Sequence, residues 1–193
     1  MGHANHRSRK SWSVLVALGL SLWTALPVAA ASTDADARES SSEYEVKAAF
    51  LFNFAKFVKW PERGAPSITV CVLAEDAVER TIEKTIGGKT LRDKPVVVKR
   101  PADLDDNDCQ ILFISDSRRA EVARILRSVD GASVLTVGET DAFAERGGII
   151  NFRTENDRIR FEINPEAAQN AGLEISSQLL KLATIVHDRT KGR

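Results

Sequence analysis

Residues 68–86 of the chain read ITVCVLAEDAVERTIEKTI, and this stretch decides the fold. Its first part, Ile68 to Ala74, is apolar and rich in β-branched residues, which predicts a buried strand. Its second part, Glu75 to Ile86, has a helical pattern and is followed by the helix-stopping pair Gly87-Gly88. A buried strand followed directly by a helix is typical of a sheet whose strands run in parallel.

The same alternation continues along the chain. Further strands are predicted at Val96 to Val98, Ile111 to Ile114 and Val134 to Val137, and a helix at Ser117 to Val129. This order predicts an α/β fold: a single domain with a mostly parallel sheet of about six strands and helices on both faces.

The last third of the chain predicts a different end to the sheet. Apolar and polar residues alternate around Ile150 and Ile163, and the turn-prone Glu155-Asn156-Asp157 lies between them, so an antiparallel hairpin should form one edge. Asn164-Pro165-Glu166 then begins a helix that Gly172 stops. A second helix, capped by Ser176 or Ser177, is predicted to bury Ile175, Leu179, Leu182, Ala183 and Val186.

The first 31 residues have the three parts of a secretory signal peptide. A basic start with Arg7, Arg9 and Lys10 precedes the apolar stretch Val14 to Leu26 and a small-residue cleavage site at Ala29-Ala30-Ala31. The apolar stretch spans about thirteen residues, fewer than a membrane-crossing helix needs, so a membrane anchor is the weaker interpretation. The mature protein is therefore expected in a periplasm or outside the cell.

The exported chain divides into three parts by its pattern. A polar, flexible leader is predicted at residues 32–43, an α/β domain at 44–187 and a short tail at 188–193. The domain should begin with an amphipathic helix from Tyr44 to Lys59, which Trp60-Pro61 ends because a residue before proline avoids helical geometry.

The charge of the chain argues against a nucleic-acid partner, and its two cysteines suggest a disulfide. The whole chain has 27 basic and 27 acidic residues, and loss of three basic signal residues leaves a net charge of −3. Such a chain lacks the basic surface that a nucleic-acid partner requires. The two cysteines, Cys71 and Cys109, lie in or beside predicted strands, so an oxidising compartment favours their pairing, with two separately buried thiols as the alternative.

The sequence offers little catalytic chemistry. His187 is the only histidine left after processing and is predicted on a helix near the chain end, so histidine-rich metal sites and an ordinary catalytic triad are disfavoured. Gly87-Gly88-Lys89-Thr90 resembles the tail of a phosphate-binding loop but is better explained as a helix stop. Four aspartates suggest a solvated acidic loop more than a calcium site: Asp103, Asp105, Asp106 and Asp108. We therefore expect no enzyme activity, no cofactor and no metal.

An aromatic residue on the polar side of the first helix suggests a contact surface. Phe52 projects from that side, where it costs free energy unless another surface covers it, so it is a candidate partner or dimer contact. The alternative is burial by another element of the same chain. Asn53, Lys56 and Trp60 are further candidate contact residues. Trp60 could also be a stacking surface for a small molecule or glycan, although a core or dimer role is the stronger interpretation.

Three segments together resemble the YfiR-like family of periplasmic proteins. They are Val46 to Pro61 (VKAAFLFNFAKFVKWP), Gly147 to Phe152 (GGIINF) and Ile159 to Ala183 (IRFEINPEAAQNAGLEISSQLLKLA). The resemblance extends over nearly the whole mature chain. It implies a compact α/β domain that forms a homodimer and has no known catalytic activity.

The resemblance also implies a function. Family members restrain an inner-membrane diguanylate cyclase by binding its periplasmic sensor domain, which lowers cyclic di-GMP and biofilm formation, and an outer-membrane lipoprotein can sequester them. Cys71 and Cys109 match a disulfide of the family, whereas a second pair flanking Gly147-Gly148 is absent here. The alternative function is a periplasmic binding protein for a small solute or cell-wall fragment, and the ligand-binding residues are then unknown.

Overall fold

The computed structural model describes residues 31–61, 64–102 and 109–189, with side chains described from Arg38 onward. The predicted signal peptide, apart from the backbone of Ala31, and the four aspartates between positions 103 and 108 lie outside the described residues. Within the described ranges, no helix is long and apolar enough to cross a bilayer.

An eight-stranded sheet lies at the centre of the protein. In spatial order its strands are β10 (Thr184–Ile185), β8 (Arg158–Ile163), β7 (Ile150–Glu155), β6 (Leu135–Gly138), β5 (Ile111–Ile114), β2 (Ile68–Leu73), β4 (Lys94–Lys99) and β3 (Thr90–Leu91). The strands from β7 to β4 run in parallel, β7 and β8 form an antiparallel hairpin, and β3 is antiparallel to β4. The predicted mostly parallel α/β sheet is confirmed, with eight strands where about six were predicted.

Helices cover both faces of this sheet, as predicted. They are α1 (Ala31–Phe57), α2 (Asp76–Ile86), α3 (Val122–Ser128), α4 (Pro165–Asn170) and α5 (Ser177–Leu180). Alternate residues of β2 and β5 enter two separate apolar clusters: Phe113 belongs to the cluster under α1 and α2, whereas Leu112 belongs to the cluster under α3. Because successive strand side chains point to opposite faces, the two clusters mark the two sides of the sheet.

Aromatic rings fix α1 against the hairpin. The ring of Phe54 lies 5.7 Å from that of Phe152 in β7 and 5.1 Å from that of Phe161 in β8. Phe50 makes similar contacts with both strands. These buried rings hold the helix that carries the candidate contact residues in one position on the sheet.

The first helix differs from its prediction at both ends. It begins at Ala31 rather than Tyr44, so the segment predicted as a flexible leader has a helical backbone. An ion pair between Glu43 and Lys47 crosses the predicted start and supports helical geometry there. The helix ends at Phe57 because Val58–Lys59 forms strand β1, which pairs antiparallel with β9 (Glu174–Ile175) in a separate two-stranded sheet.

The prediction for the end of the chain was wrong in two respects. The hairpin is not the edge of the sheet, because β10 pairs in parallel with β8 on its outer side. The predicted helix through Val186 is only the four-residue α5, since the chain beyond it donates from Val186 N to Ile163 O and continues the sheet. Of its predicted inner residues only Leu179 is fully buried, and Leu182 is 71% exposed.

Other local predictions are confirmed. Asn164 caps α4, with its side-chain oxygen accepting from Ala167 N at 3.0 Å. Asn156 and Asp157 form the hairpin turn with positive φ angles of 50° and 58°. Gly88, at φ +71°, turns the chain after α2, which makes the Gly87-Gly88 pair a helix stop. The predicted helix over 117–129 is a 3₁₀ turn, Asp116–Glu121, followed by α3.

Candidate docking surface and a buried polar cluster

Phe52 lies on α1 with its ring half-buried against the main core. Two ammonium groups stand over the exposed part of the ring: Lys56 Nζ at 4.6 Å and Lys89 Nζ at 5.6 Å from the ring centroid. Cations at such distances are attracted by the negative face of the ring. Phe52 is thus partly covered by its own chain, and a charged rim surrounds the part that remains accessible.

Asn53 and Lys56 lie beside Phe52 and are exposed. Asn53 Oδ1 accepts from Lys56 Nζ at 3.0 Å, which fixes the lysine near the ring. The guanidinium of Arg92 donates to the carbonyl oxygens of Lys56 at 2.9 Å and Val58 at 3.0 Å. These carbonyls lie at the end of α1, where backbone oxygens lack intrahelical partners and attract a cation.

Arg92 reaches α1 from a tight turn between β3 and β4. Arg92 and Asp93 both have positive φ angles, 51° and 61°, as a two-residue turn of this hairpin type requires. The five residues Phe52, Asn53, Lys56, Lys89 and Arg92 form what we term the basic patch. None of its three cations makes an ion pair with another described residue.

Trp60, the fourth predicted contact residue, makes a different set of contacts. Its Nε1 donates to Gln110 O at 3.1 Å, just before β5, and its ring is half-buried against the core. Gln110 in turn accepts from Thr69 N through Oε1 at 2.6 Å. These contacts connect the end of α1 to the amino ends of β2 and β5, which favours the core interpretation of Trp60.

The predicted Cys71–Cys109 disulfide is present, with a Cα–Cα distance of 5.7 Å. It connects β2 to the residue before Gln110 and lies in the cluster under α3, on the opposite face from α1. Closing a loop with a sequence separation of 38 residues stabilises the fold by about 4 kcal/mol in the chain-entropy model.

The structure contains a buried polar cluster that the sequence analysis did not identify. Glu139 follows β6, and both its carboxylate and the ammonium of Lys47 are only 6% exposed. Glu139 Oε2 accepts from Lys47 Nζ at 2.5 Å, while Oε1 accepts from the hydroxyl of Tyr44 and from Asp116 N, each at 2.9 Å. Every oxygen of this buried carboxylate therefore has a donor, as a charge removed from water requires.

The cluster changes the acidity of Tyr44. Burial raises the pKa of the Tyr44 phenol far above its usual value, and the nearby Glu139 carboxylate raises this pKa further. Both effects act in the same direction because each disfavours a negative charge on the phenol oxygen. Lys47 lies among apolar neighbours on α1, and that position was the one sequence signal for this cluster.

The loop between β6 and β7 is held by an aromatic ring. Phe143 is fully buried, and a Cβ added at Gly138 or Gly148 would lie 2.5 Å or 2.2 Å from its ring. Only glycine fits against the ring at these two positions. The packing of Phe143 thus anchors the loop between β6 and β7 without a covalent bond.

His187 lies on the surface beside an acidic side chain. It follows β10 rather than lying on a helix, is exposed, and places Nδ1 3.0 Å from Glu166 Oε1 at the start of α4. Among the described residues, no group of three or more His, Cys, Asp or Glu side chains is arranged to hold a metal ion.

Comparison with known proteins finds a matching family and a solved structure of similar fold. A family model described as YfiR/HmsC-like matches residues 44–184. A solved structure, a conserved domain protein from Vibrio cholerae O1 biovar El Tor strain N16961, has a similar fold with a TM-score of 0.52 and 13% sequence identity. That likeness covers 74% of this chain and 59% of the Vibrio chain, so this chain spans less than two thirds of its length. No curated protein matches the sequence.

Proposed function

Because the chain belongs to the YfiR/HmsC-like family, whose members are periplasmic regulators of diguanylate cyclase signalling, we propose that it restrains one particular membrane-bound cyclase. In this proposal the exported protein binds the periplasmic sensor domain of the cyclase, which lowers cyclic di-GMP and biofilm formation. The observation that carries the proposal is the family match over residues 44–184, nearly all of the exported chain.

The basic patch is the surface that we assign to this contact. It combines a partly accessible aromatic ring with three cations that have no carboxylate partner among the described residues. Aromatic and arginine side chains are enriched at protein interfaces, and unpaired cations favour an acidic partner surface. An acidic, partly apolar surface on the sensor domain is the matching partner.

Restraint of this kind requires no reaction within the protein. Binding one state of the cyclase more tightly than the other shifts the equilibrium between the two states by the ratio of the affinities. Release then follows when another partner, such as an outer-membrane lipoprotein, competes for the same patch. A homodimer would present two copies of the patch and increase the effective affinity for a dimeric cyclase.

A complementation experiment tests this function. Deleting the gene should raise cellular cyclic di-GMP, and expression of the natural protein should return it to its starting level. The charge-reversed double variant Lys56→Glu/Lys89→Glu should fail to do so at equal periplasmic abundance. Arg158→Glu is the matched control. Arg158 is also exposed, but it lies in β8, near the edge of the sheet opposite to β3 and β4.

Two results would count against the proposal. Unchanged cyclic di-GMP after deletion, under conditions where the cyclase is expressed, would remove the regulatory role. Full complementation by Lys56→Glu/Lys89→Glu would leave the regulatory role but remove the basic patch from it.

A further inference from the structure

A cleft of about 360 Å³ opens on the protein between α3, α4 and the loop around Gly147. The apolar part of its lining is formed by Ala123, Leu126, Val129, Val134, Ile149, Ala167 and Ala171. The hydroxyl of Thr136 accepts from Ile149 N at 3.0 Å, which holds these two lining residues together at the floor of the cleft. No residue of the basic patch or of the buried polar cluster lines this cleft, so neither feature explains it.

Two arginines at the cleft form no ion pair with a described residue, whereas two other arginines at or near α3 do. Arg127 and Arg146 line the cleft, are exposed, and form no ion pair with a described residue. Their neighbours on the same stretch of chain differ: Arg118 and Arg124 both pair with Glu121, at 3.0 Å and 2.7 Å. The cleft therefore presents two guanidinium groups that are not neutralised by the described part of the protein.

Two aspartates also line the cleft, and one of them, Asp188, has an interaction of its own. Asp130 lies in the turn after α3 and is exposed, with no ion pair to a described residue. Guanidinium groups form paired hydrogen bonds with a planar carboxylate, which is the ligand group that two free arginines favour.

We propose that this cleft binds a small amphipathic carboxylate, with its apolar part on the floor and its charge between Arg127 and Arg146. A volume of 360 Å³ corresponds to roughly a dozen non-hydrogen atoms at the packing of liquid water. Mostly apolar clefts of this size with a few convergent polar groups are the usual form of small-ligand sites. The site would be a ligand-binding function of the protein that stands whether or not a cyclase is its partner.

Calorimetric titration of the purified mature protein with sodium octanoate, kept below its micellar concentration, tests this proposal. We expect saturable binding with a Kd below about 1 mM. Acetate and 1-octanol should bind at least tenfold more weakly, because acetate lacks the apolar chain and 1-octanol lacks the carboxylate. Arg127→Gln and Arg146→Gln should each weaken octanoate binding about tenfold. Arg124→Gln is the matched control, because it removes an arginine from the same helix outside the cleft and should leave the affinity unchanged.

Any one of the following outcomes would overturn the proposal. They are absence of saturable octanoate binding, equal binding of 1-octanol, and equal loss of affinity in Arg124→Gln. Tighter binding of octylamine than of octanoate would also overturn it, because charge recognition would then belong to Asp130. Since these measurements use isolated protein, their failure leaves the cyclic di-GMP result unaffected.

Discussion

At the scale of single residues, the least expected feature is a buried ion pair under the first helix. The side chains of Lys47 and Glu139 are both almost fully buried, and Tyr44 and Asp116 N complete the hydrogen bonds of the carboxylate. Removing one member of such a pair leaves an uncompensated charge and costs about 3–5 kcal/mol. The cluster therefore fixes the position of α1 on the carboxyl edge of the sheet.

Tyr44 gives a direct measurement of this cluster, because it is the only tyrosine of the chain. Its pKa is raised in the folded protein, so the folded state retains the phenol proton at a pH where the unfolded chain loses it. This contribution to stability is fully present below the unfolded pKa of about 10 and is lost as pH rises above it. Absorbance at the tyrosinate band should therefore rise at a higher pH in the folded protein than in urea-unfolded protein, which titrates near pH 10.

The variant Glu139→Gln separates the two causes of this pKa change. It keeps an oxygen acceptor for Tyr44 but removes the negative charge, so the tyrosine should titrate at lower pH than in the natural protein and still above the unfolded value. Titration of the folded natural protein at the same pH as the unfolded chain would show that Tyr44 is solvated and that the cluster does not form.

At the scale of elements, predictions succeeded where several residues shared one pattern. Strand β5 was predicted at its exact bounds, and α2 differed by one residue, because both combine apolar runs or faces with clear stops. Strands β3 and β10 were missed since two residues carry no detectable alternation. The predicted helix after Ser176 failed for a related reason: helical spacing of apolar residues cannot show that backbone pairing with β8 is available.

Two leucines three residues apart test the new assignment at the end of the chain. Leu179 is 3% exposed in α5, whereas Leu182 is 71% exposed, although a continuous helix would bury both. Leu179→Ala should lower the free energy of unfolding by about 3 kcal/mol, as loss of a buried leucine does. Leu182→Ala should change it by less than about 0.5 kcal/mol.

Urea unfolding followed by circular dichroism measures both changes, and Leu182 provides the matched control for Leu179. Similar destabilisation by the two substitutions would support the longer helix and contradict β10 as an edge strand. The comparison also tests the assignment of β10 as the edge strand, because Leu182 is exposed only if the chain leaves the helix before it.

At the scale of the whole molecule, α1 and the residues that follow it connect the carboxyl ends of the parallel strands to their amino ends. Tyr44 of this helix contacts Glu139 after β6, and the residues beyond its end include Trp60, which contacts Gln110 before β5. The basic patch lies between these two anchors, where the turn carrying Arg92 meets the end of the helix. The surface proposed for docking is thus held at both ends by the fold rather than by a loop alone.

This arrangement explains how much of the candidate site could be predicted. Phe52, Asn53 and Lys56 were accessible to prediction because they are neighbours on one helix, and the structure brings them together. Lys89, which precedes β3, and Arg92, in the β3–β4 turn, were not, because they reach α1 from more than thirty residues away along the chain. Trp60 follows the end of this helix, and its indole nitrogen donates to Gln110 O, so its role as a contact residue stays a prediction.

Calorimetric titration of the purified protein with the periplasmic domain of a diguanylate cyclase tests the proposed contact between the basic patch and an acidic surface most directly. The natural protein should bind saturably, with an affinity that falls as salt concentration rises. Lys56→Glu/Lys89→Glu should weaken binding at least about tenfold, and Arg158→Glu should not. Binding that is absent in the natural protein, or equally strong in the doubly reversed variant, would contradict the account.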